Sequence, residues 1–258
     1  MSELQDKATH LLGLHRDPTL LTVVNVWDVI SARVVADGIG TTALATASHS
    51  IAASFGYEDG ENIPVDLMIE ACGRIAAATD LPVTADLEAG YGHPVETVRK
   101  AIGVGIVGAN LEDQMRPLVD AATMMEDVMA AADDEGIDFV LNARTDAFLR
   151  AGDRDRGAVL GDAVERGKAF LDAGAPAVFV PGRLSEEEVV TLVDAFGPQR
   201  LTMIGVPGNP ALDRLEELGV ARVSYGPMPQ RVALTALQEL VEEVHRGGGV
   251  PDSMRPLN

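Results

Sequence analysis

DAGAPAVFVPG, residues 172–182, carries the reading that decides the fold. Gly174 stands where a helix would stop in a left-handed cap. The residues that follow are apolar on both faces, as a buried parallel strand requires. The same phrase recurs as ADGIGTTALAT at 36–46, GVGIVGANLE at 103–112 and ELGVARVSYG at 217–226. Leu21–Val26, Pro82–Ala85, Phe139–Ala143 and Leu201–Val206 read as further strands, which makes eight. Helix-period segments lie between them: Leu160, Val164, Gly167 and Leu171 share one face, as do Leu234, Leu237, Val241 and Val244. Alternating strands and helices specify a parallel sheet, and eight units favour a closed (β/α)8 TIM barrel over an open doubly wound sheet. Such a barrel takes about 250 residues. The 258-residue chain is therefore expected to be one domain spanning 1–258, with a loose tail or oligomer contact at 247–258.

The composition fits this architecture and excludes several functions. An apolar fraction of 47% supplies a large core, and aromatics at 4% leave small aliphatic residues to pack helix on sheet. Forty acidic against twenty basic residues give a net charge of −20, which repels nucleic-acid phosphates and anionic membranes. An anionic substrate must therefore meet a local cationic site. The single Cys72 has no internal disulfide partner, no apolar run approaches a bilayer span, and the N-terminus lacks a leader pattern, so a cytoplasmic location is expected.

In a barrel the chemistry gathers at the carboxyl ends of the strands. Polar residues collect there in this chain. Strand three runs into Asp86-Leu87-Glu88-Ala89-Gly90-Tyr91-Gly92, strand four into Glu112-Asp113, and strand five into Arg144-Thr145-Asp146. The long connection from Ala47 to Pro64 adds Ser48, His49 and Asp59. In an extended segment Asp86 and Glu88 would point to one side and converge on a cation, with Glu112 joining from the next strand. An all-oxygen set without a Cys or His cluster suits a hard ion such as Mg²⁺, with Mn²⁺ as the alternative. Gly90 and Gly92 would let the backbone turn sharply toward a ligand. Arg144 is the natural anchor for a substrate carboxylate, and it could equally be an ion-pair partner of Asp146 or Glu112.

At these residues the sequence resembles the isocitrate lyase and phosphoenolpyruvate mutase superfamily. The resemblance runs through NVWDVISARVVADGIG, ASFGYEDG, TADLEAGYG, GANLEDQ, FVLNARTDAFL, AFLDAGAPAVFVPG and GVARVSYGPM, which together span nearly the whole chain. It implies a barrel in which Asp86 meets Mg²⁺ while Asp59, Glu88 and Glu112 hold its waters. It also implies that backbone groups around Ala47, Ser48 and His49 bind a 2-oxo acid and that Arg144 binds its carboxylate. It further implies a homotetramer in which the last helix, Pro229–His245, is exchanged between neighbouring subunits.

The chain also departs from the family pattern. The lyases carry a Lys-Arg-Cys-Gly-His type loop after strand four, where this chain reads QMRPLVDAATMMEDV and has no cysteine. The lysine and asparagine that mutases and phosphonopyruvate hydrolases place there are missing as well. Arg116 is the only cation of the segment, so it is the local candidate for shielding developing charge. The expectation is an Mg²⁺-dependent lyase that breaks a C–C bond in a small 2-oxo or 2-hydroxy carboxylate. P–C bond chemistry and a non-catalytic 2-oxo acid binder are the alternatives. His49 either shapes specificity or fills space, His93 reads as a helix cap with Pro94, and Cys72 reads as a buried structural thiol.

Overall fold

The computed structural model describes residues 2–257. Its nine parallel strand segments are β1 (Leu21–Val23), β2 (Asn25–Val26), β3 (Leu44–Thr46), β4 (Val83–Asp86), β5 (Gly108–Glu112), β6 (Val140–Arg144), β7 (Ala177–Phe179), β8 (Leu201–Ile204) and β9 (Arg222–Ser224). They follow the order β1-β9-β8-β7-β6-β5-β4-β3-β2. The expected first strand is split. β1 pairs with β9, β2 pairs with β3, and half-exposed Val24 separates them. One sequence run thus supplies both edges that close the ring, so the nine segments form an eight-stranded (β/α)8 barrel.

Helix α1 (Glu3–Arg16) precedes the barrel; α2 (Val29–Ala36), α5 (Pro94–Gly103), α6 (Leu118–Asp134), α7 (Arg156–Asp172), α8 (Glu186–Phe196) and α9 (Leu212–Glu217) each link successive strands, and α3 (Ser48–Ser54) and α4 (Val65–Ala76) both lie between β3 and β4. The joints behave as their glycines require. Gly105, Gly174 and Gly219 have φ of +99°, +96° and +84°, and each amide closes the helix before it. The first joint is looser: Gly38 donates to Val35 O, and the left-handed residue is Gly40, at +84°. On α7 the face turned inward is Val159, Ala163, Gly167 and Phe170, while Leu160, Val164 and Leu171 pack at its margin. Gly167 is small because the Phe196 ring of α8 lies where a β-carbon would go.

The strands are not apolar on both faces as expected. Polar side chains line the inside of the barrel, where Asn142 Nδ2 donates to Asn110 Oδ1 (2.7 Å) and Thr202 Oγ1 donates to Asn142 Oδ1 (2.6 Å). Arg222 is buried without a hydrogen-bond partner on any guanidinium nitrogen. Burial pulls it down to about 10 against the opposing pull of Asp86. The apolar core lies mainly between the outer strand faces and the helices.

The last helix, α10 (Met228–His245), is different. Only Gln230 is buried, and its amide donates to Ser50 O and Ser54 Oγ of α3. Leu234, Leu237, Val241 and Val244 share a face, as expected, but each is about half exposed. Residues 247–257 are exposed throughout. Among the described residues no helix is long and apolar enough to cross a membrane.

Candidate active site

Asp86 is the last residue of β4. Its amide donates to Thr46 Oγ1 of β3 (3.0 Å), and its Oδ2 accepts from Ser48 Oγ (2.8 Å), at the start of α3. Its other oxygen, Oδ1, is buried without a protein partner. The strand ends there, so the alternation argument does not reach Glu88, which sits in the left-handed region at φ +52°. Glu88 nevertheless faces the same space, because two contacts hold it: Glu61 N donates to Oε2 (2.5 Å) and Tyr91 OH to Oε1 (3.0 Å). Burial raises its carboxyl to about 7; the Tyr91 bond opposes the shift, and Asp86 and Asp59 add to it.

Glu112 ends β5 and Arg144 ends β6, and the two residues are paired in the strand register. Arg144 Nη1 meets Glu112 Oε2 at 2.9 Å and its Nε meets Asp146 Oδ1 at 2.8 Å. Arg144 is thus an ion-pair partner of both carboxylates, and its side chain also lines the central cavity. Burial also raises Glu112 to about 7, with Arg144 opposing and Asp146, Asp86 and Glu88 adding to the rise. Beneath this layer Asp113, fully buried, accepts from the Asp146 amide (3.0 Å) and from Arg166 Nη1 of α7 (3.1 Å). That ion pair fixes the loops after β5 and β6, and nothing in the sequence marked Arg166.

Two connected spaces result. The central cavity, about 240 Å³, is bounded by Asn25, Ser48, His49, Asp59, Asp86, Asn110, Arg144 and Ser224 on one side and by an apolar wall on the other. An acidic cleft of about 280 Å³ opens beside it, lined by Asp59, Glu88, Glu112 and Asp146 together with Arg144 and Arg150. A larger cleft of about 490 Å³ lies at the opposite end of the barrel, between α1 and the starts of β6, β7 and β8, and no expected site residue lines it. Asp86, Asp59, Glu88, Glu112, Ser48, His49 and Arg144 are thus brought together. Ala47, the N-cap of α3, is buried directly beside them.

The remaining expected residues stand apart from this group. Arg116 lines neither space, because its Nη1 turns onto Met124 Sδ (3.0 Å) and its carbonyl binds Arg166. The connection between β5 and α6 is only Asp113–Pro117, too short to arch over the barrel mouth. Gly90 takes φ +90°, and a β-carbon there would meet Pro94 at 2.5 Å, so the turn and the close approach of α5 both require glycine. His93 occupies the N-cap position of α5 without a side-chain cap bond. Asn25, Asn110 and Ser224 also line the cavity; each lies on a strand that the sequence located, but none was singled out there.

The donor set suits a hard cation. Asp86 Oδ1 is a desolvated, unpartnered carboxylate oxygen, and Glu88, Glu112 and Asp59 stand around the adjoining cleft. Among the described residues no three acidic, His or Cys side chains converge as direct ligands. The arrangement therefore fits an ion with one direct carboxylate and several waters, as Mg²⁺ prefers.

Comparison with known proteins agrees with this geometry. The family described as phosphoenolpyruvate phosphomutase matches residues 11–245. A Corynebacterium glutamicum protein named "Probable 2-methylisocitrate lyase 1" is 34% identical over 74% of this chain and 70% of its own length. A solved structure, "putative phosphonomutase from Burkholderia cenocepacia J2315", is 40% identical with a TM-score of 0.87, covering 95% of this chain and all of that one. Oxaloacetate acetylhydrolase, solved with the product oxalate, is 26% identical with a TM-score of 0.86 over 97% of this chain and 91% of that one. The fold and the site define an α/β-barrel enzyme with a carboxylate-rich mouth. The chain belongs to the phosphoenolpyruvate mutase/isocitrate lyase superfamily.

Proposed function

We propose that the protein is a carbon–carbon lyase that acts on a small 2-oxo or 2-hydroxy carboxylate with Mg²⁺ as its ion, Mn²⁺ being the substitute. The observation that carries this reading is Asp86, whose unpartnered buried Oδ1 faces a cavity shared with Arg144 and bordered by three further carboxylates. Asp86 would bind the ion directly, and Asp59, Glu88 and Glu112 would hold its waters. When bound, the ion supplies a Lewis acid that spreads the negative charge of an enolate.

The chain's own residues do the positioning. Arg144 holds the substrate carboxylate through the guanidinium protons that Glu112 and Asp146 leave free, and those two carboxylates fix the plane of the fork. Ser48 and His49 open α3, where first-turn amides have no intrahelical acceptor and can meet the 2-oxo acid. Arg116 has no part in this reading. The half-exposed apolar face of α10 supports its exchange between subunits of a cytoplasmic homotetramer.

Turnover of oxaloacetate, 2-methylisocitrate and phosphonopyruvate, assayed with Mg²⁺ and after chelation, tests the proposal. Metal-dependent C–C cleavage is expected. Full activity with negligible metal would overturn the role of the ion. P–C cleavage in its place would overturn the assigned bond, and binding without turnover would make the protein a 2-oxo acid binder.

A further inference from the structure

We infer that the end of the substrate remote from Arg144 carries a second carboxylate, and that the His49 ring and the Ser224 hydroxyl receive it. This inference rests on the 2-oxo or 2-hydroxy acid reading above and specifies the substrate class within it.

The order of the strands places the two ends of the cavity. Counting around the eight-membered ring from β6, which carries Arg144, the run of β1 and β2 is four places away in either direction. A molecule anchored on Arg144 therefore points its far end toward that run and its neighbours β3 and β9. The apolar residues Phe179, Pro181, Ile204 and Val206 belong to or follow β7 and β8, and so form the wall that begins beside Arg144. The far end is polar: Asn25 stands on β2, His49 comes just after β3, and Ser224 ends β9.

Hydrogen-bond accounting separates these three. Asn25 is committed, because its amide nitrogen donates to Thr46 O (2.8 Å) and its oxygen accepts from the amides of Tyr225 (2.7 Å) and Gly226 (2.8 Å). Ser224 is paired in register with Ile204 and lines the cavity with it, and its hydroxyl has no partner among the described residues. His49 Nδ1 is buried without a partner, which costs less for a bare acceptor than for an unmet N–H. The ring proton is therefore assigned to Nε2, the nitrogen left to donate into the cavity.

Two donors thus flank Asn25 with no protein acceptor. A carboxylate offers acceptor sites to both at once, whereas an alkyl end would leave both unmet. Oxaloacetate and 2-methylisocitrate, the acids named above for assay, each carry a further carboxylate. Both donors are uncharged in this form, so hydrogen bonds set the preference, and it is expected to be about tenfold.

Calorimetric binding in the presence of Mg²⁺ tests this with two matched pairs, malate against 2-hydroxybutanoate and 2-oxoglutarate against 2-oxopentanoate. Within each pair the acids share the carbon count and the group at C2, and differ in a terminal carboxylate against a methyl. In at least one pair the dicarboxylate should bind about tenfold tighter or more. His49→Ala, which keeps the backbone amide, and Ser224→Ala should each reduce that preference severalfold while the monocarboxylate binds as before. Monocarboxylates that bind the unaltered protein as tightly as their dicarboxylate partners would overturn the second-carboxylate assignment and leave the lyase reading standing. A preference that survives both substitutions would overturn the roles of His49 and Ser224 and move the subsite to the amides of Gly182 and Val206, which also lack acceptors among the described residues. If none of the four acids bound, the 2-oxo or 2-hydroxy acid reading would fall, and this inference with it.

Discussion

Asp86 has one carboxylate oxygen satisfied by Ser48 and one buried without a donor, a combination that a cation relieves. Asp86→Ala should therefore remove turnover by more than the roughly 10–100-fold expected when a residue acts through a water. It should also leave the melting temperature of the metal-free protein unchanged or higher, since an unsatisfied charge has gone. A fully active Asp86→Ala protein would sink the assignment. Arg144 combines two tasks, so its loss has two readouts. Arg144→Ala strands Glu112 and Asp146 and should cost about 3–5 kcal/mol of stability, as breaking a buried pair does. Arg144→Lys keeps the charge but loses the fork, and should raise KM with a smaller fall in Tm. Unchanged kinetics in a folded Arg144→Lys variant would reduce Arg144 to a structural ion-pair residue.

The two raised carboxyls give a pH signature. Glu88 and Glu112 bind protons more tightly in the folded chain than in the unfolded one. Their contribution to stability is therefore complete below about 4.5 and is lost as the pH rises to about 7. A metal-free sample should show this decline in Tm. Glu88→Gln/Glu112→Gln should flatten it, and an unaltered slope in that double variant would show that other groups carry it.

At the scale of elements, the four glycine joints were legible because only a left-handed residue ends a helix cheaply, and that demand is written in single letters. The division of β1 from β2 was not legible. Which edge a strand offers to which neighbour is decided by ring closure, and side-chain periodicity is silent about it. The polar interior was missed for a related reason: Asn110, Asn142 and Thr202 sit in runs that read as apolar, yet each finds a partner on another strand. Asp86, Glu88, Glu112 and Arg144 were legible as strand-end residues, whereas the Arg166–Asp113 tie depends on a contact between residues far apart in sequence. Two predictions belong here. Gly90→Ala combines a φ of +90° with a collision against Pro94, so it should destabilise by about 1–3 kcal/mol for the backbone alone, with packing loss in addition, as measured by denaturant unfolding. Cys72 lies fully buried in α4 with its thiol pushed up to about 12 by burial, so it should resist a thiol reagent until the protein unfolds. Rapid labelling of the native protein would contradict its place in the core.

For the molecule as a whole, α10 raises the question of what covers it. Leu234, Leu237, Val241 and Val244 lie 49–56% exposed along one face of a helix fastened to the barrel chiefly through Gln230 at its start. Fully burying an aliphatic side chain contributes about 1.5–3 kcal/mol relative to leaving it in water, so four half-exposed ones form a strong incentive to associate. Repulsion opposes this, since each subunit carries −20. Association should accordingly tighten with moderate salt, which screens charge over about 10 Å at 0.1 M. We predict that the protein sediments as a tetramer at micromolar concentration, and that Leu237→Asp, which places a carboxylate in the centre of the face, shifts it to smaller species without changing its far-ultraviolet circular dichroism. Exchange of the helix predicts more than association alone: the dissociated variant should unfold at a lower temperature, because in each subunit the face then has nothing to pack against. A parent protein that remained monomeric at all concentrations and salts would show that α10 tolerates its exposed face, and the subunit-exchange reading would have to be abandoned.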